Sequence, residues 1–418
     1  MAIGPEELER RRQERAVRRA QRKARKRKMI LYLLAAGVIL LACGILITRV
    51  VSDGRSSAAS TTPTEPTPST VIHIAAAGDL NVTDQVVAAG GSNFDYTEAF
   101  MDVLPLLADA DLTLLNFEGN LCGAPYGTSS GSAPQGLAES LRKAGVDMIQ
   151  LANSYSINKG MSGLVETIHG ARSAGLEPLG VYEDEDAFRS GKGYTIREVE
   201  GIKIAFVAFT KGMDGMALPE NSKNCVNVLY EDYESTYQKL DRDRINKILD
   251  AAAAEKPDLT IAMLHWGSEF NDTFSASQNA IVELMQQKGV DAIIGTHPHY
   301  VQQMTLDQES GMFIAYSLGD FFGDATKGGT EYSVILDLEI TKNNETGETK
   351  ITNFSFTPIF TVSDEGKLRV VRIAEAMTAY DGDYLGKISR EAYEKMDYAL
   401  DRITDRTGVP SQPSESTE

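Results

Sequence analysis

Three of the five histidines follow two apolar runs of the chain. His265 ends the run TIAMLH, and His297 and His299 follow VDAIIGT on either side of a proline. Short apolar runs that end in glycine, proline or polar residues are typical of buried strands, and ligands of open α/β sheets bind at the carboxyl ends of such strands. A single histidine is most often an ordinary hydrogen-bonded group. Two histidines at i and i+2 in a histidine-poor chain instead favour a metal or phosphate site.

Three further apolar runs end in carboxylates or amides. The run VIHIAAAGDL reaches Asp79, DLTLLNFEGN reaches Glu118, and VDMIQLANSYS reaches Asn153. Together with the histidines, these side chains form a mixed set of oxygen and nitrogen ligands, which suits one or two ions of Mn, Fe or Zn better than Ca or Mg. Each residue also has an ordinary interpretation: Asp79 as a helix N-cap, Glu118 as a solvated loop residue and Asn153 as a turn residue. No single position predicts a metal site; the prediction rests on the whole series of polar residues that follow the apolar runs.

The order of these motifs resembles that of the capsule-synthesis protein CapA family. The motifs are GDL, NFEGN, LANSYSINKG, LHWGSEF, GTHPHYVQ and YSLGDFF, and they lie within residues 71–322. The resemblance implies a bacterial protein of capsule or poly-γ-glutamate synthesis with a calcineurin-like metallophosphoesterase fold, which is a four-layer αββα sandwich with a metal site at one edge of its sheets. It also implies metal ligands at Asp79, Glu118, Asn153 or its neighbour Ser154, His265, His297 and His299.

Several residues depart from the family's usual motifs. Asn153-Ser154-Tyr155 stands where the family usually has Asn-Asn-His, so the resemblance implies Tyr155 as the residue that faces the substrate phosphate. If the metal ligand is the second residue of the triplet, it is Ser154, a poorer ligand than an amide oxygen. Thr296 replaces a histidine, and Asp320 replaces an asparagine. Because a tyrosine hydroxyl has an ordinary pKa of about 10, it donates a proton near neutrality less readily than imidazole. Slow, altered or absent catalysis is expected.

The amino-terminal part of the chain predicts a membrane anchor. Residues 1–28 hold twelve Lys and Arg against four Glu, and an apolar run follows, assigned as a transmembrane helix over residues 29–48. Such a run, at about 1.5 Å per residue, spans the roughly 30 Å hydrocarbon core of a bilayer. The basic residues before it predict a cytoplasmic amino terminus and an extracellular main domain in a single-pass protein of the bacterial cell membrane. A cleaved signal peptide is the alternative, because LLAC at residues 40–43 resembles a lipoprotein box.

Composition after the apolar run predicts a tether and an acidic domain. Residues 49–70 are rich in Ser, Thr and Pro and hold too few apolar residues to order a backbone, so we predict a disordered linker there. Beyond residue 28 the chain carries 29 basic and 55 acidic residues, a net charge of −26. Nucleic acid is not an expected partner, since it requires a basic face. The expected partners are the membrane, an anionic cell-envelope polymer held at a local metal or basic site and, by the resemblance, other capsule-synthesis membrane proteins.

The main domain is predicted over residues 71–362, where strands alternate with helical patterns in the manner of an α/β protein. Strand-like runs from Tyr332 onward are expected to extend the second sheet. Residues 363–408 are predicted to add a strand and a helix, and residues 409–418 a disordered tail.

The remaining histidines and the cysteines add little to the functional assignment. His73 lies in a predicted strand and His169 in a predicted helix, so both are expected to be structural. Cys122 and Cys225 are the cysteines beyond the membrane segment, where a disulfide between them is one open alternative.

Two functions remain open from the sequence. The first is a metal-binding platform that takes part in capsule or poly-γ-glutamate synthesis, export or anchoring. The second is an active metal-dependent phosphoesterase that acts on an envelope phosphate ester, where metal ions activate water. Tyr155 in place of histidine favours the platform, and the pair His297 and His299 favours the enzyme.

Overall fold

The structure, a computed structural model, describes residues 68–364, 367–383 and 388–409. The predicted basic segment, transmembrane helix, nearly all of the linker and nearly all of the tail lie outside these residues. Within the described ranges, every helix is too short or too polar to cross a bilayer.

Fourteen strands in the described ranges form two β-sheets. In chain order they are β1 (Ser69–Asn81), β2 (Leu112–Glu118), β3 (Met148–Gln150), β4 (Glu177–Leu179), β5 (Tyr194–Val199), β6 (Ile202–Thr210), β7 (Leu259–His265), β8 (Ala292–Thr296), β9 (Met304–Leu306), β10 (Phe313–Ala315), β11 (Asp320–Phe322), β12 (Tyr332–Asn343), β13 (Thr349–Asp364) and β14 (Lys367–Arg372).

Ten α-helices lie between and after the strands of the described ranges. They are α1 (Asp84–Ala89), α2 (Thr97–Phe100), α3 (Leu104–Ala108), α4 (Gln135–Lys143), α5 (Gly160–Ser173), α6 (Glu185–Gly191), α7 (Arg242–Ala254), α8 (Ala276–Gln287), α9 (Ile373–Asp381) and α10 (Arg390–Thr407). The ends of α10 show why it starts and stops where it does. The Ser389 hydroxyl accepts a hydrogen bond from the Ala392 N–H, and Gly408 ends the helix with a left-handed φ of 70°.

The first sheet has eight strands in the order β14-β13-β12-β1-β2-β3-β4, with β11 also paired to the end of β1. Strands β1 to β4 are parallel neighbours, joined by helical crossovers. The second sheet has the order β5-β6-β7-β8-β10-β9, in which β6, β7, β8 and β10 are parallel. Because parallel strands end at the same sheet edge, each sheet gathers its loops at one side.

The strands after residue 331 belong to the first sheet. β12 runs antiparallel to β1, with Ser69 opposite Asn343 and Ala76 opposite Leu336, and β13 and β14 continue outward. The expectation that these strands extend the second sheet is wrong. Alternation of apolar residues predicts which face of a strand is buried, but it does not indicate which neighbouring edge is free for pairing.

Three apolar clusters separate four layers of structure. One cluster fills the space between the sheets and receives Ile74 from β1 and Ile261 from β7. A second packs helices such as α4 and α5 on the outer face of the first sheet, and a third packs α7 and α8 on the outer face of the second. This is the predicted αββα arrangement. Burial of so many aliphatic side chains at about 25 cal/mol per Å² is the main force that holds the layers together.

The residues expected to be structural lie away from the sheet ends. His73 Nδ1 lies 3.1 Å from Asp337 Oδ1 on the first sheet, and His169 Nε2 lies 3.1 Å from Glu183 Oε2 at the surface. Cys122 and Cys225 are both free thiols. The disulfide alternative is therefore absent from the described structure.

Candidate metal centre

The carboxyl ends of four strands meet at one edge of the sandwich. Asp79 lies near the end of β1, beside Asn116 of β2, and Glu118 ends β2. In the second sheet, His265 ends β7 directly beside Thr296, the last residue of β8. All six residues predicted as metal ligands are buried there: Asp79, Glu118, Asn153, His265, His297 and His299.

A single amide connects the acidic residues of the first sheet. The Asn116 Nδ2 group donates hydrogen bonds to Asp79 Oδ1 at 2.7 Å and to Glu118 Oε1 at 3.0 Å. Its Oδ1 atom accepts one from Asn153 Nδ2, also at 3.0 Å. Asn116 was part of the NFEGN motif but was not predicted to be a site residue. Asn116 and Glu118 are two residues apart along β2, so their side chains lie on the same face of the strand. This spacing is the signal that could have identified Asn116.

His265 connects the two sheets. Its Nε2 lies 2.9 Å from Glu118 Oε1, and its Nδ1 lies 3.1 Å from Thr210 Oγ1. Burial raises the pKa of Glu118 to about 7 and lowers the pKa of His265 to about 3. The imidazole of His265 is therefore neutral near pH 7, and its contact with Glu118 is a hydrogen bond, not an ion pair.

His297 is buried without hydrogen bonds to its ring. Both ring nitrogens lack a partner among the described residues, although the ring is only 2% exposed. Its centroid lies 4.3 Å from that of His265 and 6.0 Å from that of His299. Burial, assisted by the neighbouring His265, holds the pKa of His297 well below its ordinary value. A buried polar atom without a partner costs free energy, and a neutral imidazole in this state is suited to bind a metal ion.

His299 lies among carboxylates. Its Nδ1 is 2.8 Å from Asp320 Oδ1 and 3.5 Å from Asp79 Oδ2. Burial opposes the charged form, but Asp320 together with Glu118 and Asp79 outweighs it, and the pKa of His299 is raised well above its ordinary value. Burial and the neighbouring Glu118 raise the pKa of Asp79 to about 7. The carboxylates are thus crowded, and a cation would favour their ionised forms.

Three sets of side chains bring ligand atoms within 4.8 Å of one another in the described structure. They are Glu118 with His265 and His297, Asp79 with His299 and Asp320, and Glu269 with His297 and His299. The first two sets are fully buried and share no residue, so the donors fit one or two divalent ions. Mixed imidazole and carboxylate donors suit transition metals, as the sequence predicted. The free nitrogens of His297 are the strongest sign of fit.

Main-chain contacts fix the positions of the acidic residues. The Asp79 N–H donates to Gly319 O at 2.9 Å, and Asp79 faces Asp320 across the β1–β11 pair. A Cβ atom on Gly78 would lie 1.8 Å from Gly319 O, so only glycine allows this close approach. The His297 N–H donates to Asp79 Oδ2 at 3.0 Å, which joins the two sheets.

The Asn153-Ser154-Tyr155 turn lies beside the acidic cluster. Asn153 Nδ2 also donates to Phe117 O at 2.7 Å, and Asn153 Oδ1 accepts the Tyr155 N–H at 2.9 Å. The Asn153 amide thus links its turn to β2 through hydrogen bonds, and Ser154 is buried next to it. Burial, then the charges of Glu118 and Asp214, raise the pKa of Tyr155 to about 12. This tyrosine is therefore a hydrogen-bond donor at neutral pH.

Three further residues of the site were not predicted as functional. Asp320 was noted only as a departure from the family motif, and Glu269 lies within the LHWGSEF motif. Lys211 follows β6, where its N–H donates to His265 O at 2.8 Å and its Nζ donates to Gly267 O at 3.0 Å. Burial lowers the pKa of Lys211, whereas Glu269 and Asp214 oppose this effect. Nothing in the local sequence marks Lys211, because its position depends on the pairing of β6 with β7.

Comparison with known proteins gives the family. The family model described as bacterial capsule synthesis protein PGA_cap matches residues 73–325, more than half of the chain. The chain belongs to this family. The matched residues contain all of the candidate metal centre and end before β12, so α9 and α10 lie beyond them. The family predicted from the motifs is confirmed.

Two relatives share the same region. The capsule biosynthesis protein CapA of Bacillus anthracis is 26% identical over 212 residues, which cover 51% of this chain and 48% of the relative. The PGA biosynthesis protein CapA of Bacillus subtilis strain 168 is 26% identical over 213 residues, which cover 51% of each chain. The PGA_cap chain described here thus spans about half the length of the curated relatives it matches.

Solved structures show lower similarity. The calcineurin-like phosphoesterase YfkN from Bacillus subtilis is 17% identical with a TM-score of 0.42, over 81% of this chain and 98% of that one. A putative 5'-nucleotidase from Staphylococcus aureus is 13% identical with a TM-score of 0.45, over 79% of this chain and 58% of that one. Such scores do not establish a shared fold, so the fold assignment of this PGA_cap protein rests on its two sheets and their helical layers.

Proposed function

We propose that this PGA_cap protein takes part in the synthesis, export or anchoring of a capsule or poly-γ-glutamate polymer, as a platform that binds one or two divalent transition-metal ions. Family membership and the names of its two Bacillus relatives support the capsule role. The unpartnered ring of His297 within a set of buried ligands carries the metal-binding part.

The two buried ligand sets would hold the metal. Glu118, His265 and His297 form one set, and Asp79, His299 and Asp320 form the other. A bound divalent ion supplies Lewis acidity and positive charge that offsets a bound phosphate or carboxylate. In a domain that is strongly acidic overall, such a site is where an anionic polymer would find a favourable potential.

Two side chains beside the ligands would contact an anionic substrate. Tyr155 keeps its proton at neutral pH and donates a hydrogen bond. Lys211 supplies a positive charge close to His265 and to Glu118, Asp214 and Glu269. Both groups bind and orient an anion, whereas neither is a strong general acid near neutrality.

A metal-dependent phosphoesterase that acts on an envelope phosphate ester is the second candidate function. The observation that favours it is the completeness of the ligand sets, which contain both His297 and His299 and share no residue. Paired metal ions are the usual requirement of hydrolytic phosphoesterase sites. Hydrolysis of a nitrophenyl phosphodiester by the manganese-loaded protein distinguishes the two functions: turnover near one per second or faster supports the enzyme, and its absence supports the platform.

Elemental analysis of the purified full-length protein tests the metal site. After loading with Mn, Fe or Zn, we expect one or two ions per chain, and we expect His265→Ala or His297→Ala to lower this number. His169→Ala is the matched control, because this histidine is 60% exposed at the surface. A wild-type protein without metal after loading would contradict the proposal.

We also propose that the protein is anchored in the bacterial cell membrane by residues 29–48, with its amino terminus in the cytoplasm and its main domain outside. The basic residues 1–28 before the apolar run support this topology, and other capsule-synthesis membrane proteins would be its partners. Protease added to intact cells should remove the acidic domain and leave a fragment that contains the amino terminus. Protection of the domain until the cells are lysed would exclude this topology.

A further inference from the structure

We propose that the carboxy-terminal helix α10 is a positioning element of the candidate metal centre. Arg402 and Arg406 of this helix contact the two loops that hold the ligands. These are the β7 loop, residues 266–275, and the β8 loop, residues 297–303. The helix lies beyond residues 73–325, which match the family. This inference extends the proposed function, and only its metal-affinity test depends on that function.

Arg406 lies between two tyrosine rings. Its guanidinium carbon is 4.7 Å from the centre of the Tyr300 ring and 5.5 Å from that of Tyr332. The side chain is only 9% exposed, and its Nε and Nη1 atoms have no hydrogen-bond partner among the described residues. Attraction between the cation and the two ring faces therefore holds it in place. Tyr300 directly follows His299, so this contact fixes the chain next to a candidate ligand.

The same helix binds the β7 loop through Asp272. Arg402 Nη2 lies 3.2 Å from Asp272 Oδ2, and Arg406 Nη2 lies 3.7 Å from the same oxygen. One carboxylate thus receives two arginines from successive turns of α10. Because both arginines are on the face of α10 that packs against the domain, their contacts with Asp272 fix the position of the β7 loop along the helix.

The two loops are also joined to each other close to the ligands. The Phe270 N–H donates to Pro298 O at 2.9 Å, and the Phe270 ring stacks on the His299 ring with centroids 5.4 Å apart. Gln302 Nε2 donates to Asn271 O at 2.8 Å. A displacement of either loop therefore reaches His299.

The backbone of these loops explains why such support is needed. Phe270, His297 and His299 have positive φ angles of 56°, 92° and 59°. Residues other than glycine in this region are strained, and they persist only where the surrounding structure fixes them. The contacts of Arg402 and Arg406 supply this constraint from outside the sheet edge. An apolar side chain at either position would pack, but it would not provide directed contacts to both Asp272 and the tyrosine rings.

Hydrogen–deuterium exchange of the metal-free full-length protein tests the inference directly. We expect Arg406→Met to raise exchange about tenfold or more in the β7 and β8 loops, with little change in the strands. Arg390→Met is the matched control on the same helix, because that side chain is 75% exposed and bonds only locally to Glu394. Unchanged exchange in both loops, or an equal rise throughout the protein, would overturn the proposal.

A second measurement and a second variant keep the test decisive. Manganese affinity should fall about tenfold in Arg406→Met, the size typical of residues that orient metal ligands, and should be unchanged in Arg390→Met. If wild-type protein binds none of Mn, Fe and Zn, the metal-binding proposal fails while the exchange result still decides the role of α10. If Arg406→Met does not fold, Asp272→Asn replaces it, since this carboxylate is 42% exposed. Faster exchange in the β7 loop then supports the inference, and unchanged exchange overturns it.

Discussion

The two sheets contribute opposite kinds of ligand to the candidate metal centre. The first sheet supplies the oxygen side, which consists of Asp79, Asn116, Glu118 and Asp320. The second supplies the nitrogen side, which consists of His265, His297 and His299. On the oxygen side, the Asn116 amide already bridges Asp79 and Glu118. On the nitrogen side, the ring of His297 has no partner.

This difference separates what folding requires from what metal binding requires. The residues of the oxygen side are hydrogen-bonded without an ion, to one another through Asn116 and to His265 and His299, so they contribute to the stability of the metal-free protein. The His297 ring contributes no hydrogen bond to that stability, and its cost is recovered when a ligand binds. Substitutions on the two sides should therefore affect different measurements.

The largest expected effect is on the nitrogen side. His297→Phe keeps a ring in the space but removes both nitrogens, so metal affinity should fall about a hundredfold or more, or about 3 kcal/mol, because one of the three ligands of its set is lost. The stability of the metal-free protein should change by less than about 1 kcal/mol. Titration calorimetry with Mn²⁺ and urea unfolding in a chelator measure the two quantities. A large loss of metal-free stability would remove the distinction between the sides.

The converse variant is on the oxygen side. Asn116→Ala removes hydrogen bonds to Asp79, Glu118 and Asn153 at once. We expect it to destabilise the metal-free protein by about 2 kcal/mol, because buried polar groups are left without partners. Urea unfolding in a chelator measures this, with Asn221→Ala at the exposed surface as control. A loss of metal affinity without a loss of stability would show that Asn116 serves the ion alone.

Tyr155 tests whether the ligand sets support catalysis. The double variant Ser154→Asn with Tyr155→His restores the triplet Asn-Asn-His, which the resemblance gives as usual in the family. It should raise manganese-dependent hydrolysis of a nitrophenyl phosphodiester by about tenfold to a hundredfold, up to the lower end of the contribution of a positioned general acid. If the wild-type protein already hydrolyses the ester and the double variant hydrolyses it more slowly, Tyr155 takes part in catalysis.

The smallest effect concerns a half-buried carboxylate away from the histidines. Burial raises the pKa of Asp291, at the opposite end of β8 from His297, to about 6, although it accepts the Thr260 N–H. The folded protein binds the proton of this carboxyl more tightly than the unfolded chain does. The resulting contribution to stability is fully present below pH 3.8 and is lost as the pH rises through about 6. Asp291→Asn should therefore gain about 1 kcal/mol over wild type between pH 4 and pH 7.5. Urea unfolding at both pH values in a chelator should show it; parallel pH profiles would contradict it.

The sequence predicted the positions of the candidate ligands at strand ends better than the contacts between them. Asp79, Glu118, His265, His297 and His299 each follow an apolar run, and a strand end is readable from local pattern. Asp320 and Lys211 depend on which strands pair, and pairing is a property of the whole chain. The same reason explains the wrong sheet for β12. The sequence identifies His297 as one histidine of a pair. That its ring nitrogens lack hydrogen-bond partners depends on side chains from other parts of the chain, so only the structure shows it.

The space between the two sheets is filled by apolar side chains, whose attraction has no preferred direction. Directed polar contacts between the sheets therefore determine how far one sheet is shifted along the other. Among them are Glu118 with His265 at 2.9 Å and Thr296 with Gln150 at 3.3 Å. An ion bound by residues of both sheets would link the two sheets directly. Binding of a metal ion would then raise the free energy needed to slide one sheet along the other.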